Sequence, residues 1–84
     1  MTRMLLEVVC PATGKHYDFW ISKKLRVGDI IEKLITEISG YENNRNLFDD
    51  ASSMVLMSTK FGVLNIRFTL AATGLCSGDT VVLI

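Results

Sequence analysis

The sequence has no excess of charge of either sign: nine Lys and Arg balance nine Asp and Glu, and the isoelectric point is about 6.5. That excludes the electrostatic footprint of a protein that grips nucleic acid or an anionic membrane surface. No apolar run approaches the ~18 residues a helix needs to cross a bilayer. Glu7 follows Met4-Leu5-Leu6 where a signal peptide would continue its apolar segment, so the expected location is cytoplasmic. Only two cysteines occur, Cys10 and Cys76, in opposite halves and without Cys-x-x-Cys or Cys/His spacing. They read as a pair of reduced, mostly buried thiols acting as small hydrophobes, with a disulfide as the minor alternative.

Catalytic chemistry is equally scarce. His16 is the only histidine, and no Ser/His/Asp or Cys/His constellation can be built around it; an exposed hairpin residue is the plain reading. Asp49-Asp50 are adjacent acids without the alternating oxygen ligands of a calcium loop, and read as solvated loop charge. Gly62 and Gly74 stand alone, with no phosphate-cradling glycine pattern around them. The expectation is therefore a protein with no active site, no cofactor and no bound metal.

What is present is the pattern of one small folded domain spanning residues 1–84. Such a chain buries ~60–65% of its unfolded surface, and its 49% hydrophobic content argues against disorder. Met4–Cys10 reads as a strand, Pro11–Gly14 as a turn and Lys15–Ile21 as a second strand, giving a hairpin. The period of two turns Tyr17, Phe19 and Ile21 to the core, with Leu6 and Val8 from the first strand, and His16, Asp18, Trp20 and Glu7 to the other face.

From Val27 the period changes to three and four: Val27, Ile30, Ile31, Leu34, Ile35 and Ile38 form the stripe of a helix over 27–39. Asp29 suits the positive end of its dipole, and Gly40 suits a left-handed cap. Residues 41–53 read as a polar, mobile loop with a helical turn at Leu47-Phe48. Ser53–Ser58 reads as a third strand, Lys60–Arg67 as a short fourth element bent at Gly62, Leu70–Gly74 as a helical turn and Thr80–Ile84 as the last strand. The fold class that results is α+β: a mixed sheet of four to five strands on one long helix, with the first and last strands parallel at its centre and the far face uncovered.

Three pieces of the chain carry a resemblance: the Thr13-Gly14-Lys15 turn, "VGDIIEKLI" at Val27–Ile35 and "TLAATGLCSGDTVVLI" at Thr69–Ile84. Together they resemble the ubiquitin-like β-grasp superfamily over nearly the full length. Within it, Gly74-Leu75-Cys76-Ser77-Gly78-Asp79 before a final strand is similar to the bacterial YukD/EsaB group of type VII (ESX-like) secretion systems. The resemblance implies a non-conjugating adaptor that binds protein partners, including membrane-bound secretion machinery, and that neither catalyses nor inserts in the membrane.

Modifiers and sulfur carriers of the superfamily act through a Gly-Gly carboxylate, whereas this sequence ends Val82-Leu83-Ile84, residues expected inside the sheet. A modifier or sulfur carrier without its tail, and a module excised from a larger protein, are the two rival readings. A homodimer through the sheet face or an edge is compatible with this size. The candidate partner surface is the uncovered sheet face, with Val82, Ile84, Trp20, Val55 and Met57; the plainer alternative is that these residues pack beneath a loop. Lys23, Lys24 and Arg26 form a small basic cluster that reads as a solvated loop, or more sharply as a contact for an acidic partner.

Overall fold

The computed structural model describes residues 2–48 and 50–84; Asp49, one of the two adjacent loop acids, lies outside them. The elements are β1 (Arg3–Cys10), β2 (Lys15–Ser22), α1 (Val27–Tyr41), β3 (Leu56–Ser58), β4 (Gly62–Val63) and β5 (Thr80–Leu83), with short 3-10 turns at Ala51–Ser53 and Leu70–Thr73. The sheet order is β2-β1-β5-β3-β4. As expected, β1 and β5 lie side by side and parallel at the centre, with Glu7 opposite Thr80 and Val9 opposite Val82. β2 pairs antiparallel with β1, and β3 with both β5 and β4. This is the β-grasp arrangement that the resemblance implies.

The helix covers one face only. Val27, Ile30, Ile31, Leu34 and Ile38 are buried on it, against Leu6, Val8, Phe19, Ile21, Val81 and Leu83 from the sheet. Burying five such side chains is worth on the order of 10 kcal/mol before entropy is subtracted, far more than the intrinsic propensity of a 15-residue helix supplies. Arg26, at the N-cap of α1, makes no side-chain cap bond. The first amides of the helix donate instead to backbone carbonyls, Val27 N–H to Phe68 O at 2.8 Å and Gly28 N–H to Ile66 O at 3.0 Å, which satisfies donors that a helix terminus leaves open. The same segment returns the favour to the loop before the helix, where Leu70 and Ala71 donate to Leu25 and Lys23.

The far end of α1 departs from the sequence reading. Gly40 is inside the helix, not its left-handed cap; the left-handed residue is Asn43, at φ 50°. Asn43 N–H donates to Gly40 O and Asn44 N–H to Ser39 O, the paired bonds of a Schellman motif with asparagine in the glycine position. That extension carries Tyr41 and Glu42 over the hairpin. The Tyr41 ring stacks 6.3 Å from both Tyr17 and Phe19. The Glu42 carboxylate accepts both from Lys15 Nζ, at 2.8 and 2.9 Å, and from the Tyr17 hydroxyl at 2.8 Å. These bonds hold the Glu42 carboxyl below its usual range, while burial comes first in pushing the Tyr17 phenol up.

Two strand-level expectations shorten. Residues 51–53 form a 3-10 turn and β3 begins only at Leu56, because Asp50 captures the serines. Ser52 Oγ donates to Asp50 Oδ1 at 2.6 Å and Ser53 Oγ to the Asp50 carbonyl at 2.9 Å, local bonds that compete with a ladder. The fourth element contributes only Gly62–Val63, since the chain beyond it leaves the sheet to meet the start of α1. Leu47 and Phe48 form no helical turn, but pack part-buried against the core. The thiols also divide: Cys10 is buried as expected, whereas Cys76 is exposed, and both are free. Leu75 takes the core position in that turn, which sends the next side chain outward.

Asp79 locks the same turn. Its Oδ2 accepts from Cys76 N–H at 2.8 Å, and its carboxylate pairs with Lys60 Nζ at 3.0 Å. The amide bond first, and then the lysine, hold the Asp79 carboxyl below its ordinary 3.8.

Two measurements test this description. Gly40→Ala should stabilise the fold by about 0.5–1 kcal/mol in urea titration, because Ala is the better helix former and a Cβ there meets nothing within 4 Å; a left-handed Gly40 would give the opposite sign. For Asp79, a carboxyl depressed on folding adds stability that is present above 3.8 and is lost as pH falls through the lower folded value. The melting-temperature gap between the wild type and Asp79→Asn should therefore be constant near neutrality and close only below that point. At the other extreme, Lys60 is raised above 10.5 by the same pair, so the gap should narrow again only as pH rises beyond that value.

Candidate interaction surface

Opposite the helix, the sheet presents the odd-numbered residues of β1 and the even-numbered residues of β2 and β5, because their neighbours are the buried ones. The register arranges these outward residues in rows across the strands. One row runs His16, Val9, Val82, Met57, Val63 from β2 to β4. Beyond it, Ile84 and Val55 exchange two backbone hydrogen bonds, at 2.6 and 3.0 Å, which prolong the β3–β5 ladder past its assigned ends. Four of the five sequence-predicted residues, Val55, Met57, Val82 and Ile84, thus fall together. Val55, Met57 and Val82 are half-buried, and Ile84 is 41% exposed.

Trp20 stands apart from them. It is 50% exposed and lies opposite Leu5 in a separate row. Between that row and the aliphatic one lies a polar row of Asp18, Glu7 and Thr80. Four residues along the strands and two strands across put Trp20 roughly 16 Å from Val82. The predicted set therefore makes two apolar groups on one face.

Two further members of the aliphatic group, Val9 and Val63, were not singled out by sequence. Val63 is 62% exposed. Its neighbour Gly62, at φ 75°, supplies the bend that turns it alongside Met57; a glycine before a lone valine was the signal available. Val9 sits in a strand apolar on both faces, where period alone does not mark the outward residue.

The polar row has its own geometry. Glu7 Oε1 accepts from the Thr80 hydroxyl at 2.9 Å. Glu7 Oε2 lies 3.6 Å from His16 Nδ1, too far for a hydrogen bond. Glu7 and Asp18 are cross-strand partners of like charge, an arrangement that disfavours the pair unless a cation lies near.

Elsewhere, Ile66 and Phe68 are exposed beside the start of α1, and Ile66 borders a shallow hollow of about 190 Å³ that reaches Met54 and Ile31. A larger open hollow of about 410 Å³ at the end of α1 is lined by Ile35, Ser39, Asn43 and Arg45. Among the described residues, no group of three or more His, Cys, Asp or Glu is placed to hold a metal ion, and no helix is long and apolar enough to cross a membrane. The basic cluster of Lys23, Lys24 and Arg26 forms no ion pair among the described residues; the Lys23 backbone bonds Thr2 and Ala71.

No protein-family model matches the chain, and no curated protein matches it in sequence. Solved structures do match in shape. The UBL domain of yeast Ddi1 superposes with a TM-score of 0.72 at 21% identity, over 99% of this chain and 88% of that one. Ubiquitin of Caldiarchaeum subterraneum gives 0.68 at 20%, over 98% and 91%. A chain of the MycP5-free ESX-5 inner membrane complex gives 0.78 at 12% identity, with all of this chain matched to 21% of that one. At such identities the likeness is one of architecture, and it establishes that the chain has the ubiquitin-like β-grasp fold.

Proposed function

We propose that the 84 residues act as a single ubiquitin-like domain that binds proteins without catalysis or conjugation, as a cytoplasmic accessory or regulatory component of a bacterial type VII (ESX-like) secretion system. The observation that carries the binding role is the aliphatic group on the helix-free face. Val9, Val82, Met57 and Val63 come from four strands, and with Val55 and Ile84 just past the ends of two of them they form one contiguous patch, the kind of surface that marks a protein contact. Trp20 is a second anchor on the same face, since a large aromatic offers much contact area for few frozen rotors. The secretion assignment is supported by the resemblance of residues 74–84 to the YukD/EsaB group and by the likeness to a chain of the ESX-5 inner membrane complex.

That only 21% of the ESX-5 chain is matched favours one rival, a module within a larger protein.

The test is co-purification from the membrane fraction of a bacterium that carries a type VII system, probing for its ATPase and membrane components. Met57→Gln with Val82→Thr, and separately Trp20→Ala, should each lower recovery about tenfold while circular dichroism is unchanged. Because the two sites are farther apart than coupled residues usually are, the free-energy effects of the combined variant should add within about 0.5 kcal/mol. Undiminished recovery with all three variants would move the contact off this face. A covalent adduct on the native protein by intact-mass measurement would replace the reading with the modifier one.

A further inference from the structure

The two apolar groups are separated by acids, and that order defines a partner. Resting on the reading of this face as a protein-binding surface, we infer that its occupant is an amphipathic helix that places a Lys or Arg between two apolar residues, one turn away on either side. Along β1, the outward residues after Arg3 are Leu5, Glu7 and Val9, flanked respectively by Trp20, by Asp18 and Thr80, and by His16 and Val82. The face is therefore banded apolar, acidic, apolar.

Among the described residues, no Lys or Arg pairs with the acidic band. Asp18 is exposed and forms no ion pair among the described residues. Glu7 has one oxygen bonded to Thr80 and the other 3.6 Å from His16. Two cross-strand carboxylates disfavour each other in the free protein, so a cation set between them gains the attraction of both and relieves their repulsion. An apolar partner without that charge would instead desolvate them uncompensated. A partner carboxylate there would be repelled by both acids. Charge thus selects the occupant, and the flanking rows provide its apolar contact.

The spacing selects a helix. Rows on one face of a sheet repeat every ~6.7 Å, so the two apolar bands are ~13 Å apart. Residues i, i+4 and i+8 of a helix span ~12 Å on one side. A lone strand laid flat on the face matches the spacing equally well but leaves its own amides and carbonyls without partners. A helix satisfies them internally and repeats on this face the packing that α1 makes on the other.

The probe is a synthetic helical peptide with Leu at i and i+8 and Lys at i+4 on one side, compared with a peptide identical except for Glu at i+4. Binding to the 84-residue chain is read by the fluorescence of Trp20, its single tryptophan. The Lys peptide should bind about three- to tenfold more tightly, as expected for two partly exposed charge pairs, and 0.5 M salt should erase the difference. Glu7→Gln with Asp18→Asn should abolish the preference while leaving thermal stability at least equal, since one repulsion is gone. Met57→Gln with Val82→Thr should weaken both peptides alike.

Equal affinity for the two peptides, or a preference that survives Glu7→Gln with Asp18→Asn, overturns the inference. So does failure of both peptides to bind while Met57→Gln with Val82→Thr still releases the membrane partners; the protein-binding reading of the face then stands without it. A Lys preference alongside membrane capture that ignores every face variant leaves the helix site standing and removes the secretion role.

Discussion

The rest of the fold hangs on the parallel pairing of β1 with β5. Glu7, Val8 and Val9 lie opposite Thr80, Val81 and Val82, and parallel neighbours cannot be joined by a tight turn. Everything between the two strands must pass around the sheet. The helix does so on one side, and its apolar stripe fixes which residues of β1 and β5 become core. Because β5 also accepts β3 on its free edge, the sheet closes into five strands with only one helix to cover them. A bare face is thus a consequence of topology, and the aliphatic residues upon it are the part of the sequence that core formation leaves unexplained.

The amide-to-carbonyl bonds from Val27 and Gly28 to the 66–68 segment show how the long return path is held. A side-chain cap would satisfy the helix start but would leave the carbonyls of Ile66 and Phe68 without these partners. Backbone bonds serve both ends at once, and they allow β4 to be only two residues long. At the opposite end of α1, Glu42 joins the helix terminus to the hairpin through Lys15 and Tyr17. The helix is therefore tied at both ends by polar contacts and along its middle by burial.

Much of this was legible in the sequence where a single local period governs. The hairpin, the helix stripe from Val27 to Ile38 and the outward direction of Trp20 and Val82 follow from alternation within one element. Errors appear where side chains or distant backbone decide. Asp50 holds Ser53 out of the third strand, Asn43 rather than Gly40 closes the helix, and Leu75 displaces Cys76 from the core. The candidate surface shows the same boundary. The outward face of Trp20 and Val82 was readable and that of Val9 was not, and whether Trp20 adjoins Val82 depends on the registers of three strands from distant parts of the chain. Those registers put Glu7 and Asp18 between them.

The central pair also governs how the protein reaches its fold. Glu7 and Thr80 meet across 73 residues of sequence, so contacts that complete the core are among the most distant the chain can make. Such topologies fold slowly, since loop closure precedes any return from the contacts it enables. During synthesis the hairpin and helix are made first, yet β1 keeps an open edge until β5 emerges. At about 5–20 residues per second, the stretch from Tyr41 to Leu83 takes roughly 2–8 s to make. For that interval the nascent chain exposes an apolar strand with unpaired amides, and chaperone protection matters most for this protein at that stage, before the final strand arrives.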